Sequence, residues 1–129
     1  ALDTAHAFVV HGGGLDEISV SGPTTACEVK GKEVNQMELS PQELGLEMHP
    51  IESLRGGDAT RNAQILRDVF GGQKGGPRDA VLANAAAALV VGGVERELPK
   101  AVRVAAAAID DGSATRCLAA LVRESQLAA

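Results

Sequence analysis

The 129-residue sequence contains no tryptophan, no tyrosine and only two phenylalanines, Phe8 and Phe70. Its core must therefore be built from Ala, Val, Leu and Ile, which permits close packing of helices. The only cysteines, Cys27 and Cys117, are far apart and form no CxxC motif. They are expected to be two reduced, buried thiols of a cytoplasmic protein.

Basic residues are also few. Twelve Lys and Arg face seventeen Asp and Glu, which gives a formal net charge of -5 and a pI of about 5.1. Nucleic acid is therefore not expected as a partner, since phosphate binding depends on clustered basic side chains. The apolar run Ala83–Val91 is too short to span a bilayer, and neither a signal peptide nor a basic amphipathic helix is visible. The length is that of one domain, or of part of a larger one.

The stretch AFVVHGGGLDE at Ala7–Glu17 combines three chemical features. Its apolar start predicts a strand buried on both faces, the three glycines allow a sharp turn, and Asp16 and Glu17 follow at once. Ligands of open α/β sheets lie beyond the carboxyl ends of the strands, and paired carboxylates suit Mg²⁺. Asp16 and Glu17 are therefore candidate metal ligands, although most such pairs are merely exposed turn residues. A doubly buried strand needs neighbours that this sequence barely offers, so we expect a fragment or one chain of a cleaved protein.

The chain is predicted to be β-rich over residues 1–39. Ile18–Ser21 alternates as a short strand would, and Thr25–Lys30 alternates more clearly. Gly31-Lys32 suits a two-residue type II′ hairpin turn. Glu33–Leu39 then returns as the partner strand, with imperfect alternation that allows a bulge.

Residues 40–129 are predicted to be helical, after one turn that starts at Ser40. Asp58 is the expected N-cap of the first long helix, and Pro77 starts a second helix that is apolar on nearly every side. Glu97–Asp110 forms a third. Ser113 caps a fourth, whose inward side chains are expected to be Cys117, Leu118, Leu121 and Val122. The predicted class is thus a partial α/β domain, with short strands and a hairpin followed by about four packed helices.

Other polar residues have simpler explanations. His11, at a strand end, could be a base or a ligand, but more often such a histidine satisfies a backbone carbonyl. Gly12–Gly14 lacks the GxxxxGK[ST] pattern of a phosphate loop. Asn84, on the apolar helix, is expected to make buried hydrogen bonds, and Arg78-Asp79 to form a salt bridge or serve the helix N-terminus. No nucleophilic triad is recognisable.

Several motifs occur in the order found in one enzyme family. VVHGGGLDEIS at Val9–Ser19 resembles the strand, glycine and acid signature of the anthranilate phosphoribosyltransferases. The other matching segments are LRGGDATRNAQILRDVFGG at Leu54–Gly72, GPRDAVLANAAAALVVGG at Gly76–Gly93 and AIDDGSATRCLAAL at Ala108–Leu121. The resemblance covers nearly the whole chain, but only the C-terminal part of the family's chain.

The resemblance implies transfer of a phosphoribosyl group from phosphoribosyl pyrophosphate to anthranilate, in tryptophan biosynthesis. Asp16 and Glu17 match the family's acidic pair that binds Mg²⁺; no catalytic residue is assigned, and the substrate-binding residues are left open. The family's Gly-Thr-Gly-Gly-Asp loop, its Lys-His-Gly-Asn segment and its anthranilate-associated arginine are not in this sequence. The chain alone is therefore expected to be inactive. Its glycine run also differs, because the family often has an Asp within it.

Two alternatives remain open on the residues alone. One is a pyrimidine nucleoside phosphorylase-like protein or a paralogue without transferase activity. The other is a non-enzymatic binding or interaction domain. The family resemblance implies a homodimer for the full-length protein, and the composition predicts a cytoplasmic protein with no nucleic-acid or membrane partner. For the isolated chain, self-association or a complementary chain is expected.

Overall fold

The computed structural model describes residues 4–127; the outer ends of the two predicted regions, residues 1–3 and 128–129, lie outside the described part. An antiparallel sheet is followed by four α-helices, which confirms the predicted α/β class. The strands are β1 (His6–Gly12), β2 (Thr24–Lys30) and β3 (Glu33–Leu39). After a 3₁₀ helix (Ile51–Leu54) come α1 (Ala59–Phe70), α2 (Gly76–Val91), α3 (Leu98–Asp110) and α4 (Ser113–Leu127).

The sheet is a simple meander in the order β1-β2-β3. β2 and β3 pair without interruption from Thr24 opposite Leu39 to Lys30 opposite Glu33, so the bulge allowed by the sequence does not occur. The two strands are joined by the predicted two-residue connection. Its first residue, Gly31, has φ +58°, as a type II′ turn requires.

β1 is covered on one face only, so the prediction of a strand buried on both faces was wrong. Phe8 and Val10 turn toward the helices and contact the core, whereas Val9 is 65% exposed. The apolar run suggested burial on both sides because its Val and Ala residues suit either environment. In the folded chain the sheet forms one layer and the helices form the other.

The segment after β1 also differs from its prediction. Ile18–Ser21 alternates like a strand, but it is an irregular segment with a bend at Val20 and Ser21. Ile18 and Val20 are nevertheless at most 2% exposed and lie in the core with Ala26 of β2 and Leu39 of β3. Burial of this loop, rather than strand pairing, explains its apolar positions.

The first three helices begin and end close to the predicted residues. Asp58 caps α1 by accepting a hydrogen bond from the Arg61 N–H at 2.8 Å. α2 contributes the largest part of the core, and α3 lies against it with small residues. The buried side chains of these two helices are Leu82, Ala83, Ala86, Val90, Ala101, Val102, Ala105 and Ile109.

α4 is more exposed than predicted. Cys117 is exposed, Leu121 is 66% exposed and Val122 is 47% exposed, so their expected inward positions were wrong. No residue of α4 is buried. The helical spacing of these residues places them on one face of α4, but no other described element covers that face. Within residues 4–127, no helix is both long and apolar enough to cross a membrane.

Candidate metal-binding turn

The acidic pair is presented by a tight turn at the end of β1. Gly12 and Leu15 exchange two backbone hydrogen bonds, of 3.1 and 3.0 Å, around Gly13 and Gly14. Both central glycines have positive φ, at +59° and +88°, the combination found in type I′ turns. Residues 13–17, which we call the acidic turn, therefore need glycine at two positions before the carboxylates begin.

Gly12 fixes how closely the acidic turn approaches the sheet. A Cβ atom there would lie 2.6 Å from Thr24 Oγ1, 2.7 Å from Ser19 Cβ and 2.8 Å from the Glu17 carbonyl oxygen. Ser19 in turn donates its backbone N–H to Thr24 Oγ1 at 3.0 Å. The first glycine of the run is thus required by contact, whereas the next two are required by backbone conformation.

Asn84 of α2 holds the other end of the acidic turn. Its Oδ1 accepts the Ile18 N–H at 2.9 Å, and its Nδ2 donates to the Ile18 carbonyl at 3.0 Å. Nδ2 also donates to the Ala80 carbonyl one helical turn back. The hydrogen bonds predicted for Asn84 are present, and they are partly buried. What the sequence did not reveal is that they anchor the residue next to Glu17.

Asp16 and Glu17 are both exposed. Glu17 lines a shallow groove of about 210 Å³, together with Leu15, Glu52 and Arg55. Among the described residues, no group of three or more His, Cys, Asp or Glu side chains could hold a metal by itself. Two exposed carboxylates do fit the usual protein share of a Mg²⁺ site, in which substrate phosphates and water supply the remaining ligands.

Two of the three histidines, His6 and His49, pair with carboxylates. His6 Nε2 is 2.9 Å from Glu28 Oε1, which also pairs with Lys30 Nζ at 2.8 Å. The hydrogen bond from Lys30, assisted by His6, holds the pKa of Glu28 below its usual range. His49 Nε2 pairs with Asp79 Oδ2 at 2.7 Å.

His11 is exposed and makes no side-chain hydrogen bond with any residue in the described part of the chain. The rule for parallel sheets does not explain the location of the candidate site either, because this sheet is antiparallel. The turn at Gly13 and the anchor at Asn84 explain it instead.

The Gly-Gly-Asp segment before α1 is organised by capping. Asn62 Oδ1 accepts the Gly57 N–H at 2.8 Å, and its Nδ2 donates to the Gly57 carbonyl. A Cβ on Gly56 would lie 2.6 Å from Asn62 Oδ1. The spacing of the two glycines, Asp58 and Asn62 is therefore the spacing of one helix start.

Comparison with known proteins identifies the class. Residues 1–115 match the Glycosyl transferase family, a/b domain, and the chain belongs to this family. An anthranilate phosphoribosyltransferase from Anaeromyxobacter sp. (strain Fw109-5) is 56% identical over 122 residues, which are 95% of this chain and 36% of that protein. The resemblance read from the motifs is thereby confirmed. The chain spans a little over a third of the length of the curated relatives it matches.

Solved structures agree with this grouping. The anthranilate phosphoribosyltransferase of Thermus thermophilus aligns with a TM-score of 0.83 and 34% identity, over 92% of this chain and 35% of that one. The Saccharomyces cerevisiae enzyme in complex with PRPP and Mg aligns with a TM-score of 0.76 and 27% identity, over 86% and 32%. The yeast enzyme has also been solved with 4-fluoroanthranilate.

Proposed function

We propose that this chain supplies the part of an anthranilate phosphoribosyltransferase active site that binds magnesium and diphosphate. In the reaction, the amine of anthranilate bonds to C1 of phosphoribosyl pyrophosphate, the bond from C1 to the diphosphate oxygen breaks, and the amine loses a proton. The relatives that carry this name, together with the yeast complex with PRPP and Mg, support the substrates and the metal. They favour this reaction over that of a nucleoside phosphorylase.

The acidic turn carries the proposal. Asp16 and Glu17 are the residues that would hold Mg²⁺, which when bound would neutralise charge on the leaving diphosphate. Two exposed carboxylates would leave a bound Mg²⁺ open to phosphate oxygens, because they would supply only part of its ligands. The carboxylates act as ligands and not as proton acceptors. Gly12 and Asn84 are positioning residues, because they hold the turn that presents the two carboxylates.

The other parts of the active site must be formed by other residues. In the described part of the chain, no third His, Cys, Asp or Glu joins the pair in a group that could hold a metal by itself, and the sequence has none of the family's phosphate-loop or anthranilate-binding segments. We therefore propose that the chain alone does not form phosphoribosyl anthranilate. Measurable product from the purified chain would contradict this.

Two further expectations belong to the same proposal. The free thiols of Cys27 and Cys117 fit a cytoplasmic protein. Apolar side chains such as Val9, Val34 and Leu121 are 64 to 66% exposed, so we expect self-association or binding to a complementary chain. A monodisperse monomer in sedimentation, without a partner, would contradict the second expectation.

The proposal is tested by replacing Asp16→Asn and Glu17→Gln together in the protein at its full encoded length. We expect kcat/KM to fall about a hundredfold or more and the magnesium concentration for half-maximal rate to rise, since the charge-neutralising ion is held less well. The control is Glu33→Gln with Glu47→Gln, which removes the same charge from exposed positions elsewhere. Unchanged kinetics across a magnesium titration would refute the ligand assignment.

A further inference from the structure

Arg78, in the first turn of α2, is the most deeply buried charged side chain in the described part of the protein. It is 3% exposed, and its Nη2 donates to Asp110 Oδ1 at 2.7 Å. Its other terminal nitrogen, Nη1, is buried without a hydrogen-bond partner among the described residues. A guanidinium group with an unmet donor in such a place is energetically costly, so a polar partner is expected to meet it.

A small cavity adjoins this side chain. It measures about 100 Å³ and is lined by Arg78 together with three further cations, Arg55, Arg61 and Lys74. We call these four residues and the space between them the cation pocket. Its only acidic lining residue is Asp68, whose carboxylate accepts a hydrogen bond from Gln64 Nε2 at 2.7 Å.

The charges around the cation pocket do not balance. Asp110 is approached both by Arg78 and by Lys74 Nζ, the latter at 3.9 Å, so one carboxylate serves two cations. Arg55 and Arg61 form no ion pair with any residue in the range 4–127. Four of the twelve basic residues of an acidic protein thus share one small cavity. An anion would offset this excess.

The helix geometry adds to the positive potential. The pocket adjoins the N-terminus of α2, a helix of sixteen residues whose N-cap, Gly75, provides no side-chain cap. The first-turn N–H groups and the helix dipole therefore favour an anion at this end. The nearby Asp79 is already engaged with His49.

We propose that the cation pocket binds a compact oxyanion of the phosphate type. Arg78 lines the cavity and has the unpartnered donor Nη1, and the exposed side chains of Arg61 and Lys74, which line the same cavity, would supply further donors. Such a group matches the planar donors of arginine and the size of the space. The cation pocket contains no residue of the acidic turn, although Arg55 also lines the groove beside Glu17, and the proposal does not depend on the proposed transferase function.

The test is a titration of the ¹⁵N-labelled chain with inorganic phosphate in magnesium-free buffer at constant ionic strength. We expect saturable shifts of the Arg78 side-chain signals and of the Lys74 and Gly75 amides. Arg61→Gln and Lys74→Gln should each weaken binding about tenfold, the effect of losing one charge-assisted hydrogen bond. The control Arg103→Gln, an exposed position on α3, should bind within about twofold of the parent, since only distant charge is lost.

Arg78→Lys provides a further check, because lysine can keep the pairing with Asp110 but has no second nitrogen for the cavity. If the variant is folded by circular dichroism, it should lose phosphate binding. If it does not fold, the Arg61 and Lys74 variants decide whether the cation pocket binds phosphate. Shifts that do not saturate, or that are equal in the control variant, would overturn the proposal and leave water as the partner of Nη1.

A parallel titration with diphosphate identifies the source of the phosphate group. Binding at the cation pocket persists without magnesium and is unaffected by Asp16→Asn with Glu17→Gln. If diphosphate and phosphate shift only residues of the acidic turn, the cation pocket is not a phosphate site. A magnesium-dependent signal that is retained in the Asp16 and Glu17 variant would refute the ligand assignment and leave the present proposal intact, so the two proposals fail separately.

Discussion

Replacing Asn84 with alanine tests whether this side chain anchors the acidic turn to α2. Asn84 is the only described side chain that bonds both the N–H and the carbonyl of Ile18, at 2.9 and 3.0 Å. Ile18 is 2% exposed, so both groups belong to a buried residue. Asn84→Ala therefore leaves two buried backbone groups without partners.

The magnitude follows from those two groups. An unsatisfied buried donor or acceptor costs about 1–3 kcal/mol, so the pair costs roughly 2–6 kcal/mol. Alanine recovers about 0.5 kcal/mol through its higher helix propensity. We expect a loss of about 3 kcal/mol in the free energy of unfolding. That is a large share of the total for a domain of this size.

Urea denaturation followed by circular dichroism at the helix band measures this loss, because the chain has no Trp or Tyr for fluorescence. Asn35→Ala is the control, since Asn35 is exposed on β3 and should change stability by less than about 0.5 kcal/mol. Hydrogen exchange of the Ile18 amide should also accelerate in Asn84→Ala. A stability within about 0.5 kcal/mol of the parent, with the Ile18 amide still protected, would refute the anchoring role.

Two further changes test the contacts around the sheet. Gly12→Ala should destabilise the chain by about 1–3 kcal/mol, because its Cβ would overlap atoms of Thr24 and Glu17, while Gly22→Ala, with open space around it, should be nearly neutral in the same denaturation assay. Glu28→Gln should reduce stability most at pH values above the ordinary carboxyl pKa. The difference from the parent should vanish as the pH falls through the lowered pKa of Glu28, because protonation then removes the same charge from the parent. A constant difference at all pH values would contradict that assignment.

The starts and ends of the first three helices were predictable because their signals are local. Asp58 sits three residues before the N–H that it caps, and Pro77 fits only a first turn. The hairpin at Gly31 was predictable for the same reason. By contrast, the exposure of β1 and α4 depends on which neighbours are present, and a periodic pattern does not report neighbours.

The candidate site was only partly predictable. Asp16 and Glu17 could be singled out because glycines precede them. Asn84, however, anchors the acidic turn through Ile18, which is 66 residues away in the sequence. The pairing of Arg78 with Asp110 joins residues 32 apart. Long-range polar contacts of this kind leave no periodic trace in one sequence, so the folded structure was needed to find them.

Paramagnetic NMR can locate the metal itself. Mn²⁺ is added in place of Mg²⁺ to the ¹⁵N-labelled chain in the presence of diphosphate, and paramagnetic broadening of the amide signals is mapped. We expect the amide signals of Gly13 to Glu17 to be broadened, and this broadening to disappear in Asp16→Asn with Glu17→Gln, whether or not Mn²⁺-diphosphate also broadens signals around the cation pocket. Broadening centred on another acidic segment, or retained in that double variant, would contradict the claim that the acidic turn holds the metal.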